Sequence, residues 1–346
     1  MTHQTDFLDA CAYGNFEVAK QLVESYPSDV NISAQDDYAF RNACAYGHLK
    51  VAKWLIESYS SAVNISAHDD YALRYACARG YLEVARWLIE SYPQINISAI
   101  NNYALRYACS NGHLEVVKLL VQSYQFAENV FPIQRAFQSA CTYGHIEVAR
   151  WLIETYPQIN ISADDDFAFR HACGRGHLEI AKWLVELYPQ INISAHDNDA
   201  FRYTCVNGHL VVAKWLVDSY PSIVNISACD NQAFRCACSD DNLELAKWLV
   251  EINPQINISA NDNNAFREAC IYQHIEVAKW LVDIRPYHYM IELDQYQTQI
   301  LSWKIRSIQE TRWLERAVPV LAYNSKTPNI FYSLNYDTVR HICEFV

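Results

Sequence analysis

Nine cysteines, Cys11, Cys44, Cys77, Cys109, Cys141, Cys173, Cys205, Cys238 and Cys270, recur every 32 or 33 residues along a chain of 346. A spacing held that constant marks stacked structural repeats, whose core grows in one dimension instead of closing on itself. The residues around the cysteines repeat with them. Residues 65–92 read I-S-A-H-D-D-Y-A-L-R-Y-A-C-A-R-G-Y-L-E-V-A-R-W-L-I-E-S-Y, and residues 161–188 read I-S-A-D-D-D-F-A-F-R-H-A-C-G-R-G-H-L-E-I-A-K-W-L-V-E-L-Y. One thiol at a fixed position per copy behaves as a small buried apolar group. Zinc sites need close pairs, and disulfide frameworks belong to short secreted chains, so the nine are expected to be buried, reduced and metal-free. Cys229, Cys236 and Cys238 are the one close thiol group. By register they fall in a loop, on a variable face and in the core, so no metal and no other cofactor is expected.

Each copy parses into two helices. The first starts at a serine with an acid three residues on, as in Ser33/Asp36, Ser66/Asp69, Ser162/Asp165, Ser194/Asp197, Ser227/Asp230 and Ser259/Asp262, with Ser98/Asn101 a weaker copy. This is close to a capping box, in which the hydroxyl takes a free amide hydrogen of the first turn and the acid reaches back. It gives a structural role to the glycosylation-like Asn-Ile-Ser at Asn31, Asn64, Asn96, Asn160, Asn192, Asn225 and Asn257. The first helix ends near Gly47, Gly80, Gly112, Gly144, Gly176 or Gly208, where glycine accepts a left-handed backbone. The second helix, as in Leu82–Tyr92, is apolar over most of its circumference, with Glu83, Arg86 and Glu90 as its polar strip and Glu83/Arg86 as a local pair. Such a helix must be packed on several sides. The recurring Trp54, Trp87, Trp151, Trp183, Trp215, Trp248 and Trp280 therefore read as core or core edge. His48, His113, His145, His177, His209 and His274 open the second helices, one per copy, and cannot gather around a single metal.

At this point a family resemblance is carried by the residues. Gly112-His-Leu-Glu-Val-Val-Lys-Leu-Leu-Val121 resembles the second helix of an ankyrin repeat, and Ala-Leu/Phe-Arg-x-Ala-Cys resembles the Thr-Pro-Leu-His-x-Ala-Ala of its first helix. The wording, Ala-Cys, Lys-Trp-Leu and Asn-Ile-Ser-Ala, is similar to ankyrin arrays of large DNA viruses. The resemblance implies an all-α, ankyrin-type solenoid of about nine helix pairs that binds a protein partner. Alanine stands for the family's proline at Ala39, Ala72, Ala104, Ala168 and Ala200, and arginine for its histidine. The Gly-x-Thr turn is missing, so the family's projecting hairpins are expected to be short or absent.

The repeat array is expected over residues 1–285, with a break in its pattern at 124–135 that should loosen the coupling of the fourth and fifth copies. Residues 286–346 form a separate C-terminal region in which Leu301, Ile305 and Ile308 share a helical face suited to capping the array. Within it, residues 334–345 faintly resemble the first helix of an F-box, which gives an alternative reading as an adaptor for a host ubiquitin ligase. The polar start and the lack of a long apolar run predict neither signal peptide nor membrane span, and an intracellular, cytoplasmic place.

No phosphate loop, zinc-protease helix or nucleophile elbow is present, so an enzyme and a small-molecule substrate are not expected. Residues 1–284 carry 33 acidic and 20 basic side chains, a balance that repels phosphate backbones. A nucleic-acid binder built on the arginine column is thereby disfavoured. The remaining function is protein binding, and a helical wheel locates it. With Tyr71 at zero, Ala72, Leu73, Ala76 and Cys77 point one way and Tyr71, Arg74, Tyr75 and Ala78 the other. The same offsets give Tyr38, Arg41 and Asn42; Tyr103, Arg106 and Tyr107; Phe167, Arg170 and His171; Asp199, Arg202 and Tyr203; Gln232, Arg235 and Cys236; and Asn264, Arg267 and Glu268. This concave, first-helix face varies between copies where the core does not, and its aromatics and arginines are the residues that most often dominate binding energy. The arginines also sit four residues after acids, in Asp37/Arg41, Asp70/Arg74 and Asp166/Arg170, where they support the helix.

Overall fold

A computed structural model of the chain describes residues 2–124 and 131–284. The described residues hold eighteen helices and no strand, in nine consecutive pairs. The first helices are α1 (Thr2–Ala12), α3 (Ala34–Ala45), α5 (Ala67–Ala78), α7 (Ala99–Ser110), α9 (Phe131–Thr142), α11 (Ala163–Gly174), α13 (Ala195–Val206), α15 (Ala228–Ser239) and α17 (Ala260–Ile271). The second helices are α2 (Phe16–Ser25), α4 (Leu49–Tyr59), α6 (Leu82–Ser91), α8 (Leu114–Ser123), α10 (Ile146–Thr155), α12 (Leu178–Leu187), α14 (Leu210–Ser219), α16 (Leu243–Ile252) and α18 (Ile275–Ile284). Residues 125–130 of the pattern break, the expected C-terminal cap and the F-box-like stretch lie outside the described residues. The helices divide into two compact units, Met1–Ala172 with Glu179–Ile191, and Cys173–Leu178 with the residues from Asn192 onward.

Within the first unit α3, α5, α7 and α9 pack in sequence, and α6, α8 and α10 pack alongside. In the second unit α13, α15 and α17 form the same row. Small residues let these helices approach. Ala72, Leu73, Ala76 and Cys77 have no exposed surface, and all nine periodic cysteines are buried free thiols. Burial pushes the thiols from Cys11 to Cys238 in this register up, Cys11 to about 12. Phe40, Phe137, Phe169, Phe201, Phe234 and Phe266 fill one equivalent position of the core. The tryptophans of the following second helices close its edge, Trp87 and Trp183 lying edge-on to Phe40 and Phe137 with centroids 6.5 Å apart. Arg86 pairs with Glu90, one turn further along the helix, at 3.8 Å, in place of the expected Glu83.

Seven first helices start differently from the expected capping box. No serine side chain caps α3, α5, α7, α13, α15 or α17. Instead the asparagine two residues earlier accepts the serine amide hydrogen, Asn31 Oδ1 from Ser33 N at 3.1 Å and Asn96 Oδ1 from Ser98 N at 3.0 Å, with the same bond at Asn64, Asn160, Asn192, Asn225 and Asn257. After the serine and one alanine, three residues form a left-handed turn. Gln35, Asp36 and Asp37 have φ of 54°, 54° and 61°, and the turn recurs at residues 68–70, 100–102, 164–166, 196–198, 229–231 and 261–263. That conformation costs an ordinary L-residue roughly 1–2 kcal/mol. Aspartate and asparagine tolerate it best, and they fill the second and third places of every one of these turns. The acids that resemble capping residues are there for the backbone they can adopt.

The third turn residue also ties neighbouring repeats. Asp70 Oδ2 accepts the Asn96 amide hydrogen at 3.2 Å, and Asn198 Oδ1 that of Asn225 at 3.0 Å. Neither α1 nor α9 carries the left-handed turn, and in α9 Pro132, fixed at negative φ, excludes it. Both carry glutamine at the tying position. Gln134 accepts from Asn160 N and donates to Asn160 O, both at 2.9 Å; Gln4 makes the same pair of bonds to Asn31. A longer side chain spans the gap that the turn otherwise closes.

Gly80 illustrates the end of a first helix. Its φ is +81°, and a Cβ there would lie 2.6 Å from Nδ1 of His113 in the next repeat. The histidine rings lie flat on the preceding repeat's glycine, and the ring nitrogens reach its helix-end carbonyl, His48 Nε2 to Ala12 O at 3.0 Å and His145 Nε2 to Ser110 O at 2.8 Å. Between α6 and α7 only residues 92–98 intervene, folded as two tight turns with Ile95 buried, so no hairpin projects.

Candidate functional site

The first-helix face of the first unit is built from pairs of rings one helical turn apart. Tyr71 and Tyr75 stack at 4.1 Å between centroids, and Tyr103 and Tyr107 at 4.0 Å. Tyr75 and Tyr103 lie 5.5 Å apart across α5 and α7, which joins the two pairs into one row. Phe167 and His171 repeat the arrangement on α11 at 3.7 Å, with His171 Nδ1 3.0 Å from Phe167 O. Tyr38 is half-buried on α3, where Asn42 Nδ2 donates to its carbonyl at 3.0 Å. Tyr71, Tyr75 and Tyr103 are half-buried and Tyr107 is exposed. Burial and the neighbouring Tyr75 push the Tyr103 hydroxyl up to about 12, so it remains a hydrogen-bond donor at any physiological pH.

The arginines of the column point elsewhere. Arg74 Nε donates to Asp69 O at 2.7 Å and Nη2 to His68 O at 2.8 Å, so its guanidinium fork grips the left-handed turn of its own repeat. Arg41, Arg170, Arg202 and Arg235 bind the carbonyls at the same two offsets, and Arg106 binds Asn101 O at 3.0 Å. Arg41, Arg74 and Arg170 are more than nine-tenths buried, which keeps their charge from a phosphate backbone. Two of them also support the row of rings, Arg41 lying 5.0 Å from the Tyr71 centroid and Arg74 5.0 Å from that of Tyr103.

The second unit has a polar face. Arg202 bonds Asp199 and Gln232, Arg235 Nη1 donates to Asn264 Oδ1 at 3.1 Å, and Asn264 Nδ2 to Glu268 Oε1 at 3.3 Å. Asp199 is buried beneath this network, Tyr203 is exposed, and Cys236 and Arg267 are half-exposed. The wheel missed the position two residues after each cysteine. Tyr13, Tyr46, Tyr143 and Tyr272 stand there exposed, and Arg79 spans Tyr46 and Tyr75 at 4.3 and 5.4 Å while donating Nη1 to Ala45 O. The signal was available: that position varies among Tyr, Arg, Asn and Asp, while the next residue is glycine in seven of the nine copies.

Among the described residues no group of three His, Cys, Asp or Glu side chains is placed to hold a metal, and no helix is long and apolar enough to cross a membrane. The row of rings offers an apolar surface edged with phenolic donors, which suits binding rather than bond-making.

A comparison with curated proteins finds no match. Among solved structures, the chain is similar to the crystal structure of the human ASB11 ankyrin repeat domain, at 18% identity and a TM-score of 0.44, over 66% of this chain and 95% of that one. The family profile described as ankyrin repeats (3 copies) matches residues 7–101, 98–165, 139–228 and 202–292. With the helix pairs, left-handed glycines and close-packed Ala-Cys helices in place, the chain belongs to the ankyrin repeat family.

Proposed function

We propose that the chain is a non-catalytic scaffold that holds a partner protein on the first-helix face of its first unit, across Tyr71, Tyr75, Tyr103 and Tyr107. Ankyrin repeats generally mediate protein–protein interaction. The observation that carries the specific reading is the continuous, partly open row of four tyrosine rings on α5 and α7. A fold does not require it, since Asn42 and Ser139 occupy the equivalents of Tyr75 and Tyr107 on α3 and α9. Rings already stacked and braced by Arg41 and Arg74 lose little freedom on binding, so their burial contributes to affinity almost undiminished. Tyr38, Phe167 and His171 extend the aromatic character within the same unit, and Arg41 and Arg74 act on the partner through the rings they support.

The test is the quadruple change of Tyr71, Tyr75, Tyr103 and Tyr107 to Ala, compared with the wild type for helical signal, melting and capture of partners from cells, with Glu83→Ala on a second helix as control. Loss of capture by about tenfold or more, with folding kept, is expected for central aromatic anchors. A folded variant that captures the same partners undiminished overturns the proposal.

A further inference from the structure

The face of repeats four and five differs in charge from the rest of the molecule. In a chain of net charge −12, every first helix except α7 and α9 carries at least one carboxylate. These two adjacent helices carry Arg106 and Arg135 and no acid. Arg135 is also unlike the column of gripping arginines. It lies three residues earlier, at the register of Tyr71 and Tyr103, because α9 has no left-handed turn to grip. The gripping position is taken by Gln138, buried and donating to Asp164 Oδ2 at 2.8 Å. Arg135 is exposed, its guanidinium 5.2 Å from the Phe131 centroid, and among the described residues it has no carboxylate partner.

Beside it, Ser139 replaces the second ring of the pair, leaving a step next to the exposed Tyr107. One turn on, Thr142 is more than nine-tenths buried on the same helical face, and its hydroxyl has no hydrogen-bond partner. Arg135, the Ser139 hydroxyl and the two phenols of α7 form a set of donors on adjacent helices, above the buried Thr142. Resting on the reading of this face as the binding surface, we infer that the partner presents an acidic segment here, setting an aspartate or glutamate side chain against Arg135 and Ser139 while apolar neighbours lie on Tyr103 and Tyr107. A carboxylate matches the guanidinium fork in shape as well as charge. The acidic remainder of the array sets the register by repelling the same segment elsewhere.

The experiment exposes the full chain to an immobilised array of short random peptides and to single-stranded DNA. The expected result is enrichment of Asp and Glu among bound peptides, a loss of affinity for them of about tenfold in Arg135→Gln, and a switch to Lys and Arg peptides in Arg135→Glu, with melting unchanged. If the quadruple tyrosine variant still binds the same peptides, the binding face itself is misassigned. If that variant loses binding but Arg135→Gln and Arg135→Glu leave peptide composition unaltered, only the acidic-segment inference falls. Arg135-dependent binding of DNA in place of acidic peptides also overturns it.

Discussion

Replacing Arg74 by Met should cost the fold more than it costs the surface. The guanidinium makes two bonds, to Asp69 O at 2.7 Å and His68 O at 2.8 Å, with the residue 6% exposed. Bonds from a charged donor contribute roughly 1.5–3 kcal/mol each, and methionine keeps most of the packing while making neither. The turn they hold is itself unfavourable, by roughly 1–2 kcal/mol per residue, so the loss falls on a segment with little reserve. A destabilisation of about 3–5 kcal/mol is expected, and Arg74→Lys should recover only part of it, because an ammonium cannot reproduce the fork. The control is Arg86→Met, which breaks an exposed pair with Glu90 at 3.8 Å and should cost about 0.5 kcal/mol or less. Repeat arrays distribute stability between neighbours, so urea unfolding is read together with amide hydrogen exchange over residues 66–76, where protection should fall first. Equal unfolding midpoints for Arg74→Met and Arg86→Met, with unchanged exchange, would refute the gripping role and return the arginine to the binding surface.

Gly80→Ala should destabilise by about 2 kcal/mol or more, since a Cβ meets both a φ of +81° and the His113 ring; calorimetric melting checks it. Burial holds the Asp37 carboxyl above its usual range, so its ionisation at neutral pH works against folding, and this penalty disappears as pH falls through the folded and then the unfolded value. Asp37→Asn should therefore raise the melting temperature at pH 7 and lose that advantage in acid; a pH-independent difference contradicts the reasoning. Among the thiols of the described residues, the exposed Cys229 should react with a disulfide reagent in the native state, whereas the buried Cys44, Cys77, Cys109, Cys141, Cys173, Cys205 and Cys238, also held protonated, and the buried Cys270 should wait for unfolding. Rapid native labelling of the buried set would show the core wrongly placed.

The parts of this architecture that could be read from sequence are those in which one residue type has one physical use. Cysteine in a fixed register beside alanine means a tight helix contact, and glycine after a helix means positive φ. The start of the first helix was misread because serine followed by aspartate satisfies two rules at once, capping and tolerance of a left-handed turn, and only the backbone chooses between them. The arginines were misplaced for another reason. A helical wheel gives the direction in which Arg74 leaves its helix, but a side chain that long can turn back to carbonyls five and six residues earlier. Short, stiff rings such as Tyr71 and Tyr75 end where the wheel sends them.

The ties made by Asp70, Asn198, Gln4 and Gln134 share a property beyond their strength. Each side chain grips the main chain of the following repeat, an asparagine amide that any neighbour of this kind presents in the same place. These ties are thus blind to the side chain of the residue they hold. At these four places the tie needs no matched pair of side chains, and the outward rings can diverge from one copy to the next while it stays the same. An array joined in this way can acquire a new binding surface by substitution at a few outward positions, with the length of the array and the chemistry of its face left as independent variables.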